Sequence, residues 1–187
     1  SGSTFNLNTS VGKGGAVFAE VGDATVTSSK FTSNQSINLT GGAMSVGISG
    51  VVAISDSEFT GNSSKKSGAV IRADAQIVPP APATIDITGS TMDDNEARSE
   101  GSGGVAVQGG FATRVTNSTL TGNRSRKYGA ALMSVEGPSA VESSTITGNT
   151  IVEPVAEPSY QGAGVFAFGS TNVVGNSIVT GNLPADL

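Results

Sequence analysis

Residues 57–62 read SEFTGN, and variants of this hexapeptide recur along the whole chain and decide its fold. Each copy begins with Ser, carries an apolar residue two positions later and ends with Asn. The intervals between successive asparagines are 26, 28, 33, 28, 26 and 33 residues, which is typical of a repeat protein. The seven copies end at Asn8, Asn34, Asn62, Asn95, Asn123, Asn149 and Asn182.

A second motif of small residues follows each hexapeptide. It reads GGAV at residues 14–17 and GGAM at residues 41–44. In the later units we align it with SGAV, GGVA, GAAL and GAGV, at residues 67–70, 103–106, 129–132 and 162–165. Eight positions before the Asn stands Val or Ile, at Val26, Ile54, Ile87, Val115, Val141 and Val174.

A unit of this size cannot bury its own apolar face, whereas stacked units can. If each unit is one turn of a solenoid, strands of neighbouring turns pair about 4.8 Å apart and like residues stack in ladders. The sequence therefore predicts an all-β fold, a single-stranded right-handed parallel β-helix of about six to seven turns, as one domain over residues 1–187. The expected structural ladder consists of inward asparagines: Asn34, Asn62, Asn95, Asn123, Asn149 and Asn182.

Alternation along each strand predicts which residues face outward. Positions eight and ten before the Asn are expected to point inward, and positions seven and nine to point outward. Neighbouring turns then match charges on the outer surface, with Lys30 next to Glu58 and Asp86 next to Arg114.

Composition narrows the chemistry. The 187 residues include 26 Gly but no His and no Cys, so disulfides and the usual zinc or haem ligands are excluded. The net charge is −5 with ten Lys and Arg, which argues against nucleic acid as a partner. No apolar run approaches the roughly 20 residues of a membrane span. We expect no cofactor and no metal.

Two short motifs carry a resemblance to a known family. The GGA-apolar motif at 14–17 and 41–44, with the Phe-x-x-Asn motif at Phe31 and Phe59, resembles the polymorphic outer-membrane proteins of chlamydiae. The resemblance implies an autotransporter-passenger-type right-handed β-helix that acts as an adhesin. It also implies that the chain is a fragment of a longer surface protein, although members generally contain cysteine.

Acidic residues suggest an alternative. Asp93 and Asp94 replace the Thr-Gly of other hexapeptides, in a β-helix fold that also hosts polysaccharide lyases and hydrolases. Paired carboxylates about 6.5 to 9.5 Å apart can perform inverting hydrolysis, and carboxylate oxygens can bind Ca²⁺. Asp is equally common in turns for backbone reasons, so we do not assign catalytic residues. The neighbouring acids are Asp56, Glu58, Glu96 and Glu100.

Threonines suggest a second alternative. Thr119 and Thr121 in one unit align with Thr145 and Thr147 in the next, and such outward Thr arrays resemble the face of ice-binding β-solenoids. Thr is also an ordinary residue of solvated strands.

Two proline-bearing insertions, near 77–83 and 152–160, are expected to occupy corresponding parts of their turns and to offer binding loops, with Tyr160 as a contact aromatic. Among six Asn-x-Ser/Thr sequons, Asn38 and Asn117 lie off the ladder and are plausible glycan sites in a secreted eukaryotic protein; the four ladder sequons are expected to be buried.

The sequence thus favours a non-catalytic extracellular surface β-solenoid, acting as an adhesin or structural stalk. The expected partner is a protein or glycan surface, and end-to-end self-association is a further expectation because uncapped end turns expose strand edges.

Overall fold

The computed structural model describes residues 1–47, 50–74, 83–99, 101–153, 162–169 and 171–184. These residues form 26 short strands, numbered β1 to β26 in chain order, and no helix. The strands assemble into four parallel sheets, called A to D in the order in which each coil visits them.

Sheet A has seven strands and sheet B has seven. Sheet A contains β1 Thr4–Asn6, β5 Lys30–Thr32, β9 Glu58–Thr60, β13 Thr91–Asp93, β17 Thr119–Thr121, β21 Thr145–Thr147 and β25 Ile178–Thr180. Sheet B contains β2 Thr9–Ser10, β6 Gln35–Ser36, β10 Ser63–Ser64, β14 Glu96–Ala97, β18 Arg124–Ser125, β22 Thr150–Ile151 and β26 Leu183–Pro184.

Sheets C and D have six strands each. Sheet C contains β3 Val17–Ala19, β7 Met44–Val46, β11 Ile71–Asp74, β15 Val105–Gln108, β19 Leu132–Val135 and β23 Val165–Phe168. Sheet D contains β4 Ala24–Thr27, β8 Val51–Ser55, β12 Thr84–Thr88, β16 Ala112–Thr116, β20 Ser139–Glu142 and β24 Asn172–Gly175.

Every strand pairs in parallel with the strand one coil away, so the described chain makes six four-stranded coils and starts a seventh. This stack of in-register coils is a right-handed parallel β-helix and confirms the predicted fold class. Residues at the same sheet position in successive coils are therefore aligned along the axis. They form columns with one residue per coil, on the surface as well as in the core.

The corner between sheets A and B holds a continuous ladder of buried asparagines. Asn62 donates its backbone N–H and its Nδ2 to Oδ1 of Asn95, at 2.9 and 3.0 Å. Asn95 in turn donates Nδ2 to Oδ1 of Asn123 at 2.9 Å and to the carbonyl of Phe59 at 3.0 Å. The five residues Asn34, Asn62, Asn95, Asn123 and Asn149 have no exposed surface. Asn182, in the last coil, accepts the same pair of bonds from Asn149.

Serines form a matching ladder at the corner between sheets D and A. The backbone N–H of Ser57 donates to Oγ of Ser90 at 3.1 Å, and that of Ser90 donates to Oγ of Ser118 at 3.2 Å. Each hydroxyl then donates back to a strand carbonyl of its own coil, as Ser57 does to Ser55 at 2.7 Å. The Ser side chain thus gives a buried backbone N–H of the preceding coil a hydrogen-bond partner, as the Asn side chain does at the other corner.

Left-handed backbone makes both corners sharp. The residue before each of the seven asparagines has a φ between 53° and 64°, and only three of these residues are not glycine. Asp94 is one of them, so its presence there is explained by the short polar side chains that this conformation tolerates. The positions are Leu7, Ser33, Gly61, Asp94, Gly122, Gly148 and Gly181.

The core is a set of stacked apolar columns inside the coils. In the sheet A column the rings of Phe5, Phe31 and Phe59 stack with centroids 4.5 and 4.7 Å apart and planes within 11° of parallel. The column continues through Met92 and then through the fully buried Leu120 and Ile146. One side chain per coil therefore fills each layer, and its neighbours above and below bury it.

Sheet C corrects our alignment of the small-residue motif. Met44 pairs with Ile71, not Val70, and Ile71 pairs with Val105, not Ala106. The motif therefore begins at Gly68 in the third coil, where φ is +63° and an added Cβ would lie 2.2 Å from the Ile71 carbonyl oxygen. The small Ser67 fits the first position of the motif by size, but the left-handed backbone at this position has no room for a Cβ and therefore requires glycine.

The flanking strands also correct the predicted placement of the insertions. The first insertion leaves after β11 of sheet C, whereas the second leaves after β22 of sheet B, so they occupy different corners. Residues 75–82 and 154–161, with Tyr160, lie outside the described residues.

The ladder gives a stability prediction. Asn95→Ala leaves the buried Asn62 N–H and the Phe59 carbonyl without their side-chain partners, and each such group costs about 1–3 kcal/mol. We expect urea unfolding to show a loss of at least about 2 kcal/mol. The control Asn8→Ala lies at the exposed end of the ladder and should lose less than half as much. Equal losses in the two variants would contradict a ladder role that depends on burial.

Candidate functional site

The outer face of sheet A carries the predicted threonine array. Thr119 pairs with Thr145, and Thr121 pairs with Thr147, so the four residues form two adjacent rows on the surface. All four are half-buried by their neighbours in the sheet. The rows are about 4.8 Å apart along the axis and the columns about 7 Å apart along the strand.

The next strands on both sides break the array. On one side Thr91 continues the first column but Asp93 enters the second. On the other side Ile178 enters the first column while Thr180 continues the second. The second column is nevertheless mainly threonine, since it includes Thr32, Thr60, Thr121, Thr147 and Thr180.

Asp93, in the second outer column of sheet A, is a carboxylate with a raised pKa. Partial burial raises its pKa first, and the charges of Asp94 and Glu58 raise it further, while a hydrogen bond from the Asp94 backbone lowers it. Glu58 does not join it in a carboxylate pair, because Lys30 holds Glu58 in an ion pair of 3.0 Å and lowers its pKa by hydrogen bonding.

The remaining acids of this region have other roles. Glu96 pairs with Arg98 at 3.2 Å. Asp56 lies at a left-handed corner with a φ of 49°, and Glu100 lies outside the described residues. No group of three or more acidic side chains is arranged to bind a metal ion in the part of the chain that the structure describes.

The two predicted charge matches have different outcomes. Lys30 and Glu58 form the expected pair, with both side chains about half exposed. Asp86 and Arg114 are register partners, but Arg114 pairs instead with Glu142 of the following coil at 3.2 Å. Such exposed pairs contribute at most about 1 kcal/mol each.

A groove on the outer face of sheet C was not predicted. Arg72 and Met133 form its floor; they belong to the outward column Ser45, Arg72, Ala106 and Met133, and all four are at most 8% exposed. They are buried although they point outward because the segments that connect sheets B and C lie over this face. The groove encloses about 400 Å³, and its walls include Leu39, Thr40, Lys66, Ser67, Gly101 and Tyr128.

Arg72 organises the groove floor. Its Nη2 donates to Oε1 of Gln108 at 2.7 Å and to Oδ2 of Asp74 at 3.0 Å, and Nη1 makes a long contact of 3.4 Å with Oγ of Ser67. Its Nε is buried and has no hydrogen-bond partner among the described residues. The guanidinium is therefore fixed in place while part of its donor capacity stays unused.

Two lysines and an aromatic ring complete the groove. Lys13 and Lys66 line it, and Nζ of Lys13 lies 6.0 Å from the ring centroid of Phe18. Tyr128 packs on Phe166 with ring centroids 5.5 Å apart, so a residue of the same outward column of sheet C, in the next coil, supports its position. Among the described residues the lining thus contains three cations and one carboxylate, in a chain that is acidic overall.

The groove could not be predicted from the sequence because residues 67–70 were aligned with residues 41–44, one position out of register. With Val70 aligned to Met44, Ile71 instead of Arg72 falls in the outward column of sheet C. The true register places the only charged residue of that column between Ser45 and Ala106. The left-handed glycine column would have revealed it, because aligning Gly68 with Gly14 and Gly41 restores the register.

The sequons divide by exposure. Asn38 and Asn117 are exposed. Asn34, Asn62 and Asn123 are buried in the ladder, but Asn8 is exposed because no coil covers it, which corrects its expected burial.

Taken together, the four in-register parallel sheets and the stacked Asn and Ser corners define a parallel β-helix repeat protein. The chain belongs to the family described as the right-handed beta helix region, which matches residues 14–185. Residues 2–20 match the Chlamydia polymorphic membrane protein repeat, so the resemblance is confirmed. No curated protein and no solved structure was similar enough to count as a match. No helix among the described residues is long and apolar enough to cross a membrane.

The raised pKa of Asp93 gives a pH prediction. A carboxyl whose pKa is raised by folding binds its proton more tightly in the folded chain, so stability falls as pH rises through the folded-state pKa. Asp93→Asn should therefore raise the melting temperature at pH 7, and the gain should fade toward about pH 3.

Asp86→Asn is the matched control, because it makes the same chemical change on the outer face of sheet D, away from Asp94 and Glu58. If both variants shift the melting temperature equally at every pH, the proposed local repulsion at Asp93 is wrong.

Proposed function

We propose that this chain is a non-catalytic surface β-solenoid that acts outside the cell as an adhesin or structural stalk. The observation that supports this most is the polymorphic membrane protein repeat at residues 2–20, placed at the start of a β-helix that continues in register through the described chain. Its partner is a protein or glycan surface.

The architecture suits a rigid display element. The hydrogen bonds between coils run along the solenoid axis, and each ladder Asn adds side-chain bonds in the same direction. Surface columns on four faces are thereby held at fixed spacing. Insertions anchored in β11 and β22 can leave such a scaffold without changing its register, which is where binding specificity tends to be located.

End-to-end association is part of the proposal. In the last coil Val174 and Val179 occupy inward columns, yet they are 51% and 46% exposed because no described coil covers them. At the other end Phe5, Val17 and Val26, which also occupy inward columns, are only partly buried. A further β-helical coil, from the same protein or a second copy, is the surface that would bury these residues and pair the free strand edges.

Ice binding is a second candidate, favoured by one observation. Threonine occupies the second outer column of sheet A in five of its seven strands, at near-constant spacing on a flat sheet. The pair Lys30 and Glu58 places charges on the same face, which is why we rank this function below adhesion.

Adhesion can be tested with beads coated with the purified chain. We expect them to bind cultured epithelial cells, or immobilised fibronectin or laminin, at least several-fold above albumin-coated beads. Replacing residues 154–161 by a short Gly-Ser linker should reduce binding if this insertion makes the contact, and the same replacement of residues 76–82 is the paired comparison.

Two results would contradict the adhesive proposal. One is binding no better than albumin on every surface. The other is release of reducing ends from acidic polysaccharide by the chain, with loss of this activity in Asp93→Asn, because that would identify an enzyme.

Ice binding predicts thermal hysteresis. Thr121→Lys places a charged, bulky side chain in the middle of the second column and should abolish the effect. Thr116→Lys, on the outer face of sheet D, should leave it unchanged. A native chain that shows no hysteresis at millimolar concentration would remove this candidate.

A further inference from the structure

We infer that the groove over sheet C is a binding site for a terminal acidic sugar, that is, a saccharide unit bearing a carboxylate or a sulfate. The inference rests on the proposed adhesive function and names the ligand class that one face of the adhesin takes. It starts from Arg72, a residue that lines the groove and is only 8% exposed.

The size of the groove indicates a small ligand. About 400 Å³ is near the lower end of the range of about 300–1,000 Å³ found for small-molecule sites. A folded protein partner would need a far larger surface, of about 800 Å² on each side. The space suits one or two sugar rings at the end of a chain.

The charge of the groove indicates an anion. Lys13, Lys66 and Arg72 line it, and Asp74, the carboxylate among its described lining residues, is already bonded to Nη2 of Arg72 at 3.0 Å. Three cations lie together in a chain of net charge −5, although the residues that flank Arg72 in the outward column, Ser45 and Ala106, are uncharged. A ligand carboxylate or sulfate would pair with the ammonium groups of Lys13 and Lys66, and the charge of the fixed Arg72 guanidinium would add to the attraction.

The rest of the lining indicates a sugar. Gln108, Asp74, Ser67 and Thr40 offer neutral or neutralised polar atoms that can bond hydroxyl groups. Tyr128 gives a ring edge or face next to them, held in place by Phe166. Planar polar side chains beside an aromatic ring recognise a molecule that has hydroxyl groups on its rim and apolar C–H faces.

The rigid setting makes the site preformed. Arg72 is fixed by two acceptors on two different coils, Asp74 on its own strand and Gln108 on β15. Binding therefore requires no rotamer change on the groove floor and loses little side-chain entropy. Only the two lysines at the rim have to become ordered.

The test is isothermal titration of the whole chain with three probes: 3′-sialyllactose, 3′-sulfolactose and lactose. We expect at least one charged probe to bind at least about tenfold more tightly than lactose, and this affinity to fall with added salt. Preference for sialyllactose identifies a carboxylated sugar as the ligand, and preference for sulfolactose identifies a sulfated one. Equal or stronger binding of lactose, or no binding of either charged probe, would overturn the inference.

Variants locate the binding to the groove. Lys66→Ala should lower the affinity for the charged probe roughly fivefold, and Tyr128→Ala should lower it roughly tenfold. Lys65→Ala is the matched control, because Lys65 is the adjacent exposed lysine and does not line the groove. Equal weakening by Lys65→Ala and Lys66→Ala would mean non-specific charge attraction and would reject the site. Lys66 is exposed, so its variant is expected to fold even if Tyr128→Ala does not.

The two proposals fail separately. If beads coated with the Lys66→Ala or Tyr128→Ala variant adhere as well as beads coated with the native chain, the groove inference is wrong while the adhesive function stands. If sialyllactose or sulfolactose binds to the groove but beads adhere to no surface, the sugar site stands and adhesion is wrong.

Discussion

The hydrogen bond from one asparagine to the asparagine of the next coil is the constraint on which the rest of this structure depends. Each ladder side chain accepts two bonds from the coil before it and donates to the coil after it, as Asn95 does between Asn62 and Asn123. The amide is buried without exposed surface, so a missing bond would cost the full desolvation of its partner. This makes the register of neighbouring coils all but obligatory, and every surface column follows from that register.

The repeat made the fold predictable because the ladder requires one residue type at one position in every coil. The Asn and Ser of each coil can be recognised in the sequence because their side chains bond buried backbone N–H groups at the corners. The apolar residue between them can be recognised because it fills the core of its coil. The sheet C register was harder to read. Its marker is a left-handed corner that accepts Gly in most coils, and near Gly68 and Gly103 several small residues stand side by side. An alignment by size alone slipped there by one residue, and a one-residue slip moves every side chain of a strand to the opposite face.

The candidate sites were less predictable than the fold for the same reason. The threonine rows could be identified because sheet A lies next to the ladder and shares its register. The groove depends on Arg72, and its identification needed both the correct sheet C register and the knowledge that the connecting segments lie over that face. The pairing of Arg114 with Glu142 instead of Asp86 was beyond pattern reasoning too, because a long side chain can reach either neighbouring coil.

The positions of the two insertions have an evolutionary consequence. They are anchored at different corners, one after sheet C and one after sheet B, and about three coils apart, or roughly 14 Å along the axis. The ladder bonds hold neighbouring coils in register, so one insertion can lengthen, shorten or change sequence without disturbing the other. The scaffold thus allows the two insertions to vary independently of each other while the neighbouring coils stay unchanged.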